Sequence, residues 1–541
     1  MQIIKKLFLA LTRKERRDFL IVLVIFLLSS ISVLAMTIEA KSEIAPIAGG
    51  SFHEGIIGQP TFINPIISGN QTDHDLSALI FDRLSNLATS YEPDKDNRVF
   101  TVKLKEDLVW DDNEPLTSDD VIYTINAIQN PENHSPLFKN WQGVEAERVS
   151  ELQVKFTLPT SYVFFKNNLE RLPIIPKHIF DKIPLDNIGL STFSLRPVGD
   201  GPYKFESFKT RRDGFITEYR FVRNDLYHGS KPYIQDFYFN FYSSEKELFA
   251  AFRQREIGGF GELLPLRDKI GKTSNAVVEK MPMARYYGVF MNPIANSILK
   301  DINLRKALIA ATPREKIITE VMSGEVTTVT SPLVKNLVNV GSSSVENDNY
   351  NPATAKDLIK KVVLPKGTTE INLTLIVPQI DFLEKTAEIL KQEWLAIGIN
   401  RVNIIALNPD DLVDRVIKTR EYDLVLFGNV LENPIDLFPF WHSSQRFYPG
   451  LNLSMYQNFD VDKTIETIRK TTDENTRNGL IIKAQNLITN DAPAIFLFSL
   501  PYYYVHNERL EGVDSPLIAM SADRFKNITD WNVLRARVFK K

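Results

Sequence analysis

Residues 371–428 decide the fold class of this chain, and they read INLTLIVPQIDFLEKTAEILKQEWLAIGINRVNIIALNPDDLVDRVIKTREYDLVLFG. Three short apolar runs in this stretch are typical of β-strands: residues 371–377, 401–407 and 422–428. The third run is apolar on both faces, as a buried parallel strand should be. The stretch therefore predicts β-α-β-α-β, half of a doubly wound α/β sheet.

The first helix of this unit carries its own start and stop signals. Asp381 offers an N-cap oxygen, and Glu384 stands three residues later as in a capping box. Gly398 then supplies a stop. Apolar residues recur between these points at helical spacing: Leu383, Ala387, Leu390 and Trp394. In a doubly wound sheet, ligands bind beyond the carboxyl ends of the strands, so the loop at residues 428–436 is a candidate ligand wall.

Residues 19–38 form an uncharged run of 20, FLIVLVIFLLSSISVLAMTI, and the chain has only one such run. As a helix rising about 1.5 Å per residue, it spans about 30 Å, the thickness of a bilayer's hydrocarbon core. Six basic residues precede the run, and only Lys41 lies close behind it, beside Glu39 and Glu43, which places the N-terminal side in the cytoplasm. We expect a cytoplasmic segment (residues 1–18), a transmembrane anchor (19–38), a stalk (39–48) and an extracytoplasmic body.

A cleaved signal peptide is the alternative explanation of this run, because residues 29–40 contain small side chains. However, the run exceeds the usual signal core of about 7–15 residues, and no clean small-x-small site follows it. The length therefore favours an uncleaved anchor.

Composition excludes several classes of protein. The 64 basic and 67 acidic residues nearly balance, and no long basic run follows residue 41, which argues against a nucleic-acid surface. The chain has no cysteine, so it has no disulfide, no thiolate nucleophile, no Cys-based zinc site and no lipid-modified cysteine. Neither G-x-S-x-G nor H-E-x-x-H occurs, and the seven histidines are scattered. We expect no catalytic residue, no metal and no cofactor, and an unrecognised hydrolase remains an alternative.

Several motifs follow one another in an order that identifies a family. They include GGSFHEGIIGQPTFINPI (residues 49–66), VFTVKLKEDLVWDDNEPLTSDDVIYTI (99–125) and RPVGDGPYKFESF (196–208), whose G-x-G-P-Y turn is the most specific. YHGSKPYIQDFYF, MNPIANSILKDINLRKALIAA, YNPATAKDLI and AQNLITNDAPAIFLF come next. From residue 49 to about 507, the chain resembles the extracellular solute-binding proteins of family 5, which serve oligopeptide and dipeptide ABC importers.

The resemblance implies a bilobed periplasmic-binding-protein-like fold of three domains behind the N-terminal transmembrane helix. Domain I would comprise residues 49–90, 190–289 and 505–541, domain II residues 91–189, and domain III residues 290–504. Connecting strands would join two lobes that close on a ligand as a hinge, because some contacts form only in the closed state.

The resemblance also suggests ligand-binding residues, with two departures from the family pattern. Members often have a tryptophan just after the third strand, where this chain has Asn429. Peptide binders commonly hold an aspartate that pairs with the α-amino group of the ligand, and Glu432 stands near that place. The predicted ligand-binding residues are Gln59, Phe62, Asn64, Asn429, Glu432 and Tyr456. Tyr456 has an alternative role as a packed core residue, Glu432 has one as a solvated loop carboxylate, and Asp436 is expected to cap the next helix.

The resemblance implies a monomeric, membrane-anchored binding protein that captures peptides in an interdomain cleft and delivers them to an ABC permease and ATPase. A separate ATPase would be needed because the chain has no ATP-binding motif of its own. Binding of a non-peptide solute and a role as an envelope chaperone or interaction module remain open.

Overall fold

The computed structural model describes residues 12–67, 69–184, 187–188, 191–262, 276–322, 326–334 and 350–540. The first eleven residues of the predicted cytoplasmic segment lie outside this range. The strands are β1 (Ser42–Pro46), β2 (Ser51–Ile57), β3 (Ala88–Pro93), β4 (Val99–Leu104), β5 (Glu145–Ser150), β6 (Gln153–Thr157), β7 (Tyr203–Thr210), β8 (Ile216–Arg223), β9 (Asp236–Tyr242), β10 (Gly259–Glu262), β11 (Ala276–Met281), β12 (Arg285–Met291), β13 (Thr327–Thr328), β14 (Asn372–Pro378), β15 (Arg401–Leu407), β16 (Leu424–Val430), β17 (Ala494–Ser499), β18 (Tyr502–Asn507) and β19 (Arg535–Phe539). The helices are α1 (Arg13–Lys41), α2 (Gln71–Ile80), α3 (Leu84–Leu87), α4 (Ser118–Gln129), α5 (Phe138–Trp141), α6 (Phe165–Arg171), α7 (Lys177–Phe180), α8 (Glu245–Arg253), α9 (Ile302–Ala310), α10 (Arg314–Met322), α11 (Pro352–Ile359), α12 (Asp381–Ala396), α13 (Pro409–Leu412), α14 (Phe438–Trp441), α15 (Phe459–Lys470) and α16 (Glu474–Asp491).

The six-stranded sheet contains the predicted β-α-β-α-β unit. Its order is β13-β17-β12-β16-β14-β15, and β14 pairs in parallel with both β15 and β16. The unit is therefore confirmed, but the sheet is mixed, because β12 and β17 pair with their neighbours in antiparallel fashion. Leu375, Trp394 and Leu424 are fully buried in the core that this sheet shares with its helices.

The expected N-cap of α12 is wrong by one residue. Ile380 occupies the cap position, and its carbonyl accepts hydrogen bonds from the backbone N–H groups of Leu383 (2.9 Å) and Glu384 (3.0 Å). Asp381 is already helical, so its carboxylate turns outward to Lys385 Nζ at 2.7 Å. An acidic residue in the first turn is still favourable there, because it faces the positive end of the helix dipole.

The other two large sheets complete the two lobes. The seven-stranded sheet has the order β11-β18-β10-β2-β9-β8-β7, and the four-stranded antiparallel sheet has the order β3-β4-β6-β5. The chain crosses between the seven- and six-stranded sheets from β11 to β12 and again from β17 to β18. The predicted domain boundaries at residues 90, 289 and 504 fall inside strands, namely β3, β12 and β18. The division into three domains stays a prediction.

The G-D-G-P-Y turn at residues 199–203 packs against the end of α2. A Cβ atom on Gly199 would lie 2.0 Å from the carbonyl oxygen of Ile80, and one on Gly201 would lie 2.7 Å from it. The backbone N–H of Gly201 donates to that same carbonyl at 2.8 Å. Only glycine permits this approach, so the most specific motif of the sequence fixes the position of α2.

The anchor passes directly into a paired strand. Among the described residues, α1 is the one helix long and apolar enough to cross a membrane, and none of its residues is buried. β1 begins at the next residue and pairs antiparallel with the C-terminal strand β19. Residues 39–48, expected as a stalk, are therefore helix and hydrogen-bonded strand over most of their length rather than a free linker.

Candidate functional site

Helix α2 lies between two cavities at the junction of the sheets. Asn70 caps the helix, because its side-chain oxygen accepts from the backbone N–H of Asp73 at 2.8 Å. The carboxylate of Asp73 in turn accepts from the backbone N–H groups of Thr61 (2.7 Å) and Phe62 (3.0 Å), which holds the 59–64 turn against the helix. The helix is thus fastened at its start by this turn and at its end by the G-D-G-P-Y turn. A fixed helix can present side chains to both cavities without rearrangement.

The first cavity, which we call the crossover cavity, has a volume of about 190 Å³ and lies where the chain crosses between the two lobes. It is lined by Gly55, Ile56, Ile57, Gln71, Asp75, Gly261, Met283, Arg285, Tyr502, Ser521 and Arg524. These residues come from both lobes, and Met283, Arg285 and Tyr502 lie at the crossovers themselves. A cavity in this position changes shape when the lobes move relative to each other.

One wall of the crossover cavity is a buried ion cluster. Arg524 is 1% exposed and donates from Nη1 to Asp75 Oδ2 at 2.8 Å and from Nη2 to Glu54 Oε1 at 2.9 Å. Tyr504 donates to the other oxygen of Glu54 at 2.6 Å, and Ser521 donates to Asp75 Oδ1 at 2.7 Å. Burial raises the pKa of Glu54, and the charge of Arg524 offsets part of that rise. Each of these carboxylate oxygens has a partner, so this wall is preorganised.

Arg285 differs from its neighbours in the same cavity. It is half-buried, its side chain makes no hydrogen bond or ion pair with any described residue, and its Nε is buried without an acceptor. In the β12–β16 ladder it lies directly opposite Val430, two residues before Glu432. A guanidinium that has no partner among the described residues, in a partly enclosed cavity, suits a carboxylate or another planar anion.

The second cavity, which we call the loop cavity, has a volume of about 130 Å³ and contains Glu432. Its walls come from α2, from the segments around α5 and α6, and from the 428–436 loop. Glu432 is exposed and accepts one hydrogen bond, from Asn140 Nδ2 to Oε2 at 3.1 Å, while Arg171 Nη1 donates to its backbone carbonyl at 3.1 Å. Oε1 of Glu432 has no hydrogen-bond partner among the described residues, so it can accept from a ligand.

The 428–436 loop starts later than predicted, because β16 continues to Val430, and the whole segment is held by contacts with both neighbouring parts of the protein. Asn429, still in the strand, is buried and donates from Nδ2 to the hydroxyl of Tyr286 at 2.9 Å. Asp436 accepts from the backbone N–H of Phe438 at 3.1 Å at the start of α14, and from the hydroxyl of Tyr162 at 2.8 Å. Arg469 lies over the rings of Tyr162 (4.0 Å) and Phe438 (4.3 Å). The loop is therefore rigid enough to position Glu432.

Of the remaining predicted residues, Gln59, Asn64 and Tyr456 each use one side-chain oxygen in a hydrogen bond within the protein. Gln59 Oε1 accepts from the backbone N–H of Ile216 at 2.8 Å, and the buried Asn64 accepts through Oδ1 from Ile66 N–H at 3.1 Å. Phe62 is half-buried beside them. Tyr456 is 8% exposed, packs in a hydrophobic cluster, and donates to Asp491 at 2.6 Å. The structure thus places Asn429 near the end of β16, Glu432 on the loop that follows this strand, and Gln59, Phe62 and Asn64 on the turn that precedes α2.

Sequence reasoning missed Arg285, Gln71 and the ion cluster. Arg285 had one available signal, since it is the single charge at the start of the apolar run RYYGVFM. Gln71, Asp75 and Arg524 had none, because the last two are 449 residues apart in the chain.

Two α/β lobes joined by two crossovers, with cavities at their junction, are the architecture of a two-lobed ligand-binding protein. Comparison with known proteins gives the family. The model of bacterial extracellular solute-binding proteins, family 5 (middle), matches residues 84–447, more than half of the chain. The chain therefore belongs to this family, which confirms the resemblance found in the sequence.

Individual relatives agree with this assignment. The chain is 26% identical over 530 residues to the oligopeptide-binding protein AppA of Bacillus subtilis (strain 168), with 91% of this chain and 94% of that protein covered. The crystal structure of the ABC transporter substrate-binding protein CtaP from Listeria monocytogenes has a TM-score of 0.78 at 27% identity, with 90% of this chain and 99% of that chain covered. NikZ from Campylobacter jejuni, solved in complex with Ni(L-His), shares the fold with a TM-score of 0.72 at 22% identity, with 89% of this chain and 99% of that chain covered.

Proposed function

We propose that this protein is a membrane-anchored, extracytoplasmic binding protein that captures peptides between its two lobes and delivers them to an ABC permease and ATPase. It acts as a monomer, carries out no catalysis and needs no metal or cofactor. The observation that carries the proposal is that two charged groups at the lobe junction have hydrogen-bonding capacity left over within the described part of the chain. There, Arg285 has no hydrogen-bond or ion-pair partner in the crossover cavity, and Oε1 of Glu432 accepts no hydrogen bond in the loop cavity.

A peptide supplies a complementary charge for each of these groups. Its α-ammonium would donate to Glu432, and its α-carboxylate would accept from the terminal guanidinium nitrogens of Arg285. A charge buried in a closed cleft must be paired, because an unpaired one costs several kcal/mol. The backbone between the two ends would form main-chain hydrogen bonds with the 59–64 turn and the 428–436 segment, which allows one cleft to accept many side chains. The oligopeptide-binding relative supports this choice of ligand.

The contact between β1 and β19 disfavours cleavage inside β1, and the length of the apolar run supports retention of the anchor as a whole. Cleavage after any residue from 42 to 46 would remove part or all of β1 and deprive β19 of its partner. Intact-mass measurement of the membrane-extracted protein tests this point. A mature N-terminus between residues 35 and 51 would contradict the anchor, while leaving the ligand-binding part of the proposal intact.

Calorimetric titration of the full chain in detergent micelles tests the ligand. Peptides with free ends should bind. Glu432→Gln should weaken the binding of free-amine peptides by about 1.5–3 kcal/mol, the worth of a charged hydrogen bond, and should scarcely affect the same peptides after N-acetylation. Arg285→Gln should give the converse pattern, weakening free-acid peptides and sparing their C-terminal amides. Glu421→Gln and Arg415→Gln, on exposed positions of the same lobe, are the matched controls.

Native mass spectrometry of the purified full chain would identify a ligand that co-purifies. A mass without a peptide, such as a metal chelate, would overturn peptide capture in favour of another solute. Equal affinities of wild type and Glu432→Gln for a free-amine peptide would remove Glu432 from the site. Binding that requires long unfolded chains would indicate a chaperone instead.

A further inference from the structure

The strands β1 and β19 form a two-stranded ribbon at the point where the anchor ends. Ser42 lies opposite Phe539 and Ile44 opposite Arg537 in this ribbon. The backbone N–H of Lys540 donates to the carbonyl of Lys41, the last residue of α1, at 2.8 Å, and Arg537 Nη1 donates to Ser42 Oγ at 3.1 Å. The C-terminus of the chain is thus fastened to the end of the transmembrane helix, almost 500 residues away in sequence.

The position of the ribbon relative to a bilayer follows from helix geometry. The apolar run ends at Ile38, and Ser42 lies four residues further on, so it stands about 6 Å beyond the hydrocarbon core. The headgroup layer on each side of a bilayer is about 5–8 Å thick. Phe539 faces Ser42 across the ladder at a Cα distance of about 5 Å. If α1 spans the membrane, this end of the ribbon lies at headgroup depth.

One face of the ribbon has the chemistry of a membrane interface. Directly opposite residues in an antiparallel pair share a face, and alternate residues along a strand share one too. Ile44, Arg535, Arg537 and Phe539 therefore lie on the same face, where Ile44 is 60% exposed and Phe539 is 68% exposed. Arg535 is bound to Glu511 at 2.9 Å, but this pair is exposed and weak. Arginines beside aromatic and aliphatic side chains suit anionic headgroups over a hydrocarbon layer.

We propose that this face of the ribbon lies on the outer headgroup layer and binds anionic phospholipids, which holds the body in one orientation relative to the membrane. The inference rests on the uncleaved anchor of the proposed function. It is independent of which ligand the lobes bind. A two-stranded ribbon is only marginally stable alone in water, so the lipid contact would also stabilise the pairing of β1 with β19.

Tryptophan fluorescence of the full chain reconstituted in vesicles tests the proposal. Phe539→Trp places a reporter on the ribbon, and Phe459→Trp, at the 78% exposed N-terminus of α15, is the matched control on the body. The vesicles are equal mixtures of phosphatidylcholine and phosphatidylglycerol with acyl chains brominated near the headgroup. We expect bromine to quench most of the emission that Phe539→Trp adds, and to leave the emission that Phe459→Trp adds unchanged. The Arg535→Gln, Arg537→Gln double variant, which removes both positive charges of this face, should reduce the quenching.

Two results would overturn the proposal: quenching of Phe539→Trp no greater than that of Phe459→Trp, or equal quenching when phosphatidylglycerol is omitted. A cleaved anchor, seen by intact mass, would overturn both the anchor and the ribbon contact. Peptide binding measured in the same preparation separates these failures from a failure of the solute-binding function.

Discussion

The cores of the two lobes are built on different principles. The six-stranded sheet is centred on apolar side chains such as Leu375, Leu424 and Trp394. The seven-stranded sheet includes the buried cluster of Glu54, Asp75 and Arg524 beside its aromatic core. An apolar core tolerates shape changes at a graded cost, whereas a buried ion cluster depends on every one of its partners. The cluster also forms one wall of the crossover cavity. The lobe with the seven-stranded sheet therefore supplies the preorganised wall of that cavity.

The largest effect is expected from breaking the cluster. Arg524→Met would leave Glu54 and Asp75 buried without a counter-charge, and we expect it to lower the free energy of unfolding of the seven-stranded sheet by about 3–5 kcal/mol. Native-state hydrogen exchange, which resolves the stability of individual elements, would measure this loss in β2, β9 and β18. β14 and β16 in the other lobe should keep their protection.

Arg535→Ala is the control for this experiment, since it removes an arginine from the exposed pair with Glu511. It should cost no more than about 1 kcal/mol. A loss for Arg524→Met as small as the control's would mean that the buried carboxylates find other partners or become protonated at little cost. The contrast between the two lobes would then disappear.

A slightly smaller loss should follow from a cavity in the other lobe. Leu375 is fully buried in β14 between β15 and β16, and Leu375→Ala should lower the free energy of unfolding of the six-stranded sheet by about 2–5 kcal/mol. Thr374→Ala, on the half-buried opposite face of the same strand, should cost much less. Exchange that accelerates equally in both lobes would show that they unfold as one unit, which would contradict separate cores.

This difference between the cores also explains what the sequence could predict. The β-α-β-α-β unit lies within 58 consecutive residues, and its strand and helix periods are local signals. The predicted N-cap of α12 was one residue too late. The carbonyl of Ile380 already accepts the first hydrogen bonds of the helix, so Asp381 is its first helical residue. The ion cluster joins residues 470 positions apart, and no local pattern marks such a contact.

The candidate site divides in the same way. Topology indicated the 428–436 segment, and the family pattern indicated Glu432, which lies in a cavity and whose Oε1 has no partner in the described part of the chain. Arg285 could not be found from sequence, because what distinguishes it is that the described residues around it offer no acceptor. For Tyr456 the sequence left two roles open, and burial with a bond to Asp491 now argues for the packing role.

The smallest predicted effect concerns Asp111, where the four-stranded domain meets the G-D-G-P-Y turn. Its backbone N–H donates to the carbonyl of Gly199 at 2.8 Å, and its Oδ2 accepts from Gly199 N–H at 3.2 Å. Burial raises the pKa of this carboxyl to about 6, although the hydrogen bond from Gly199 opposes the rise. The folded protein therefore binds the proton more tightly than the unfolded chain, so Asp111 contributes stability below pH 4 that is lost as the pH rises through 6.

Asp111→Asn removes this titration while keeping an oxygen that can accept from Gly199. The variant should match wild type at pH 4 and become relatively more stable by pH 7, by about 1–3 kcal/mol for a shift of about two pKa units. Chemical denaturation at a series of pH values would measure the difference, and Asp96→Asn, at an exposed position on the same domain, should show no such trend. A difference between Asp111→Asn and wild type that stays constant with pH would show that this carboxyl has the same pKa in the folded and the unfolded chain. Burial at the junction between the four-stranded domain and the turn that positions α2 would then leave the carboxyl as easy to ionise as it is in water.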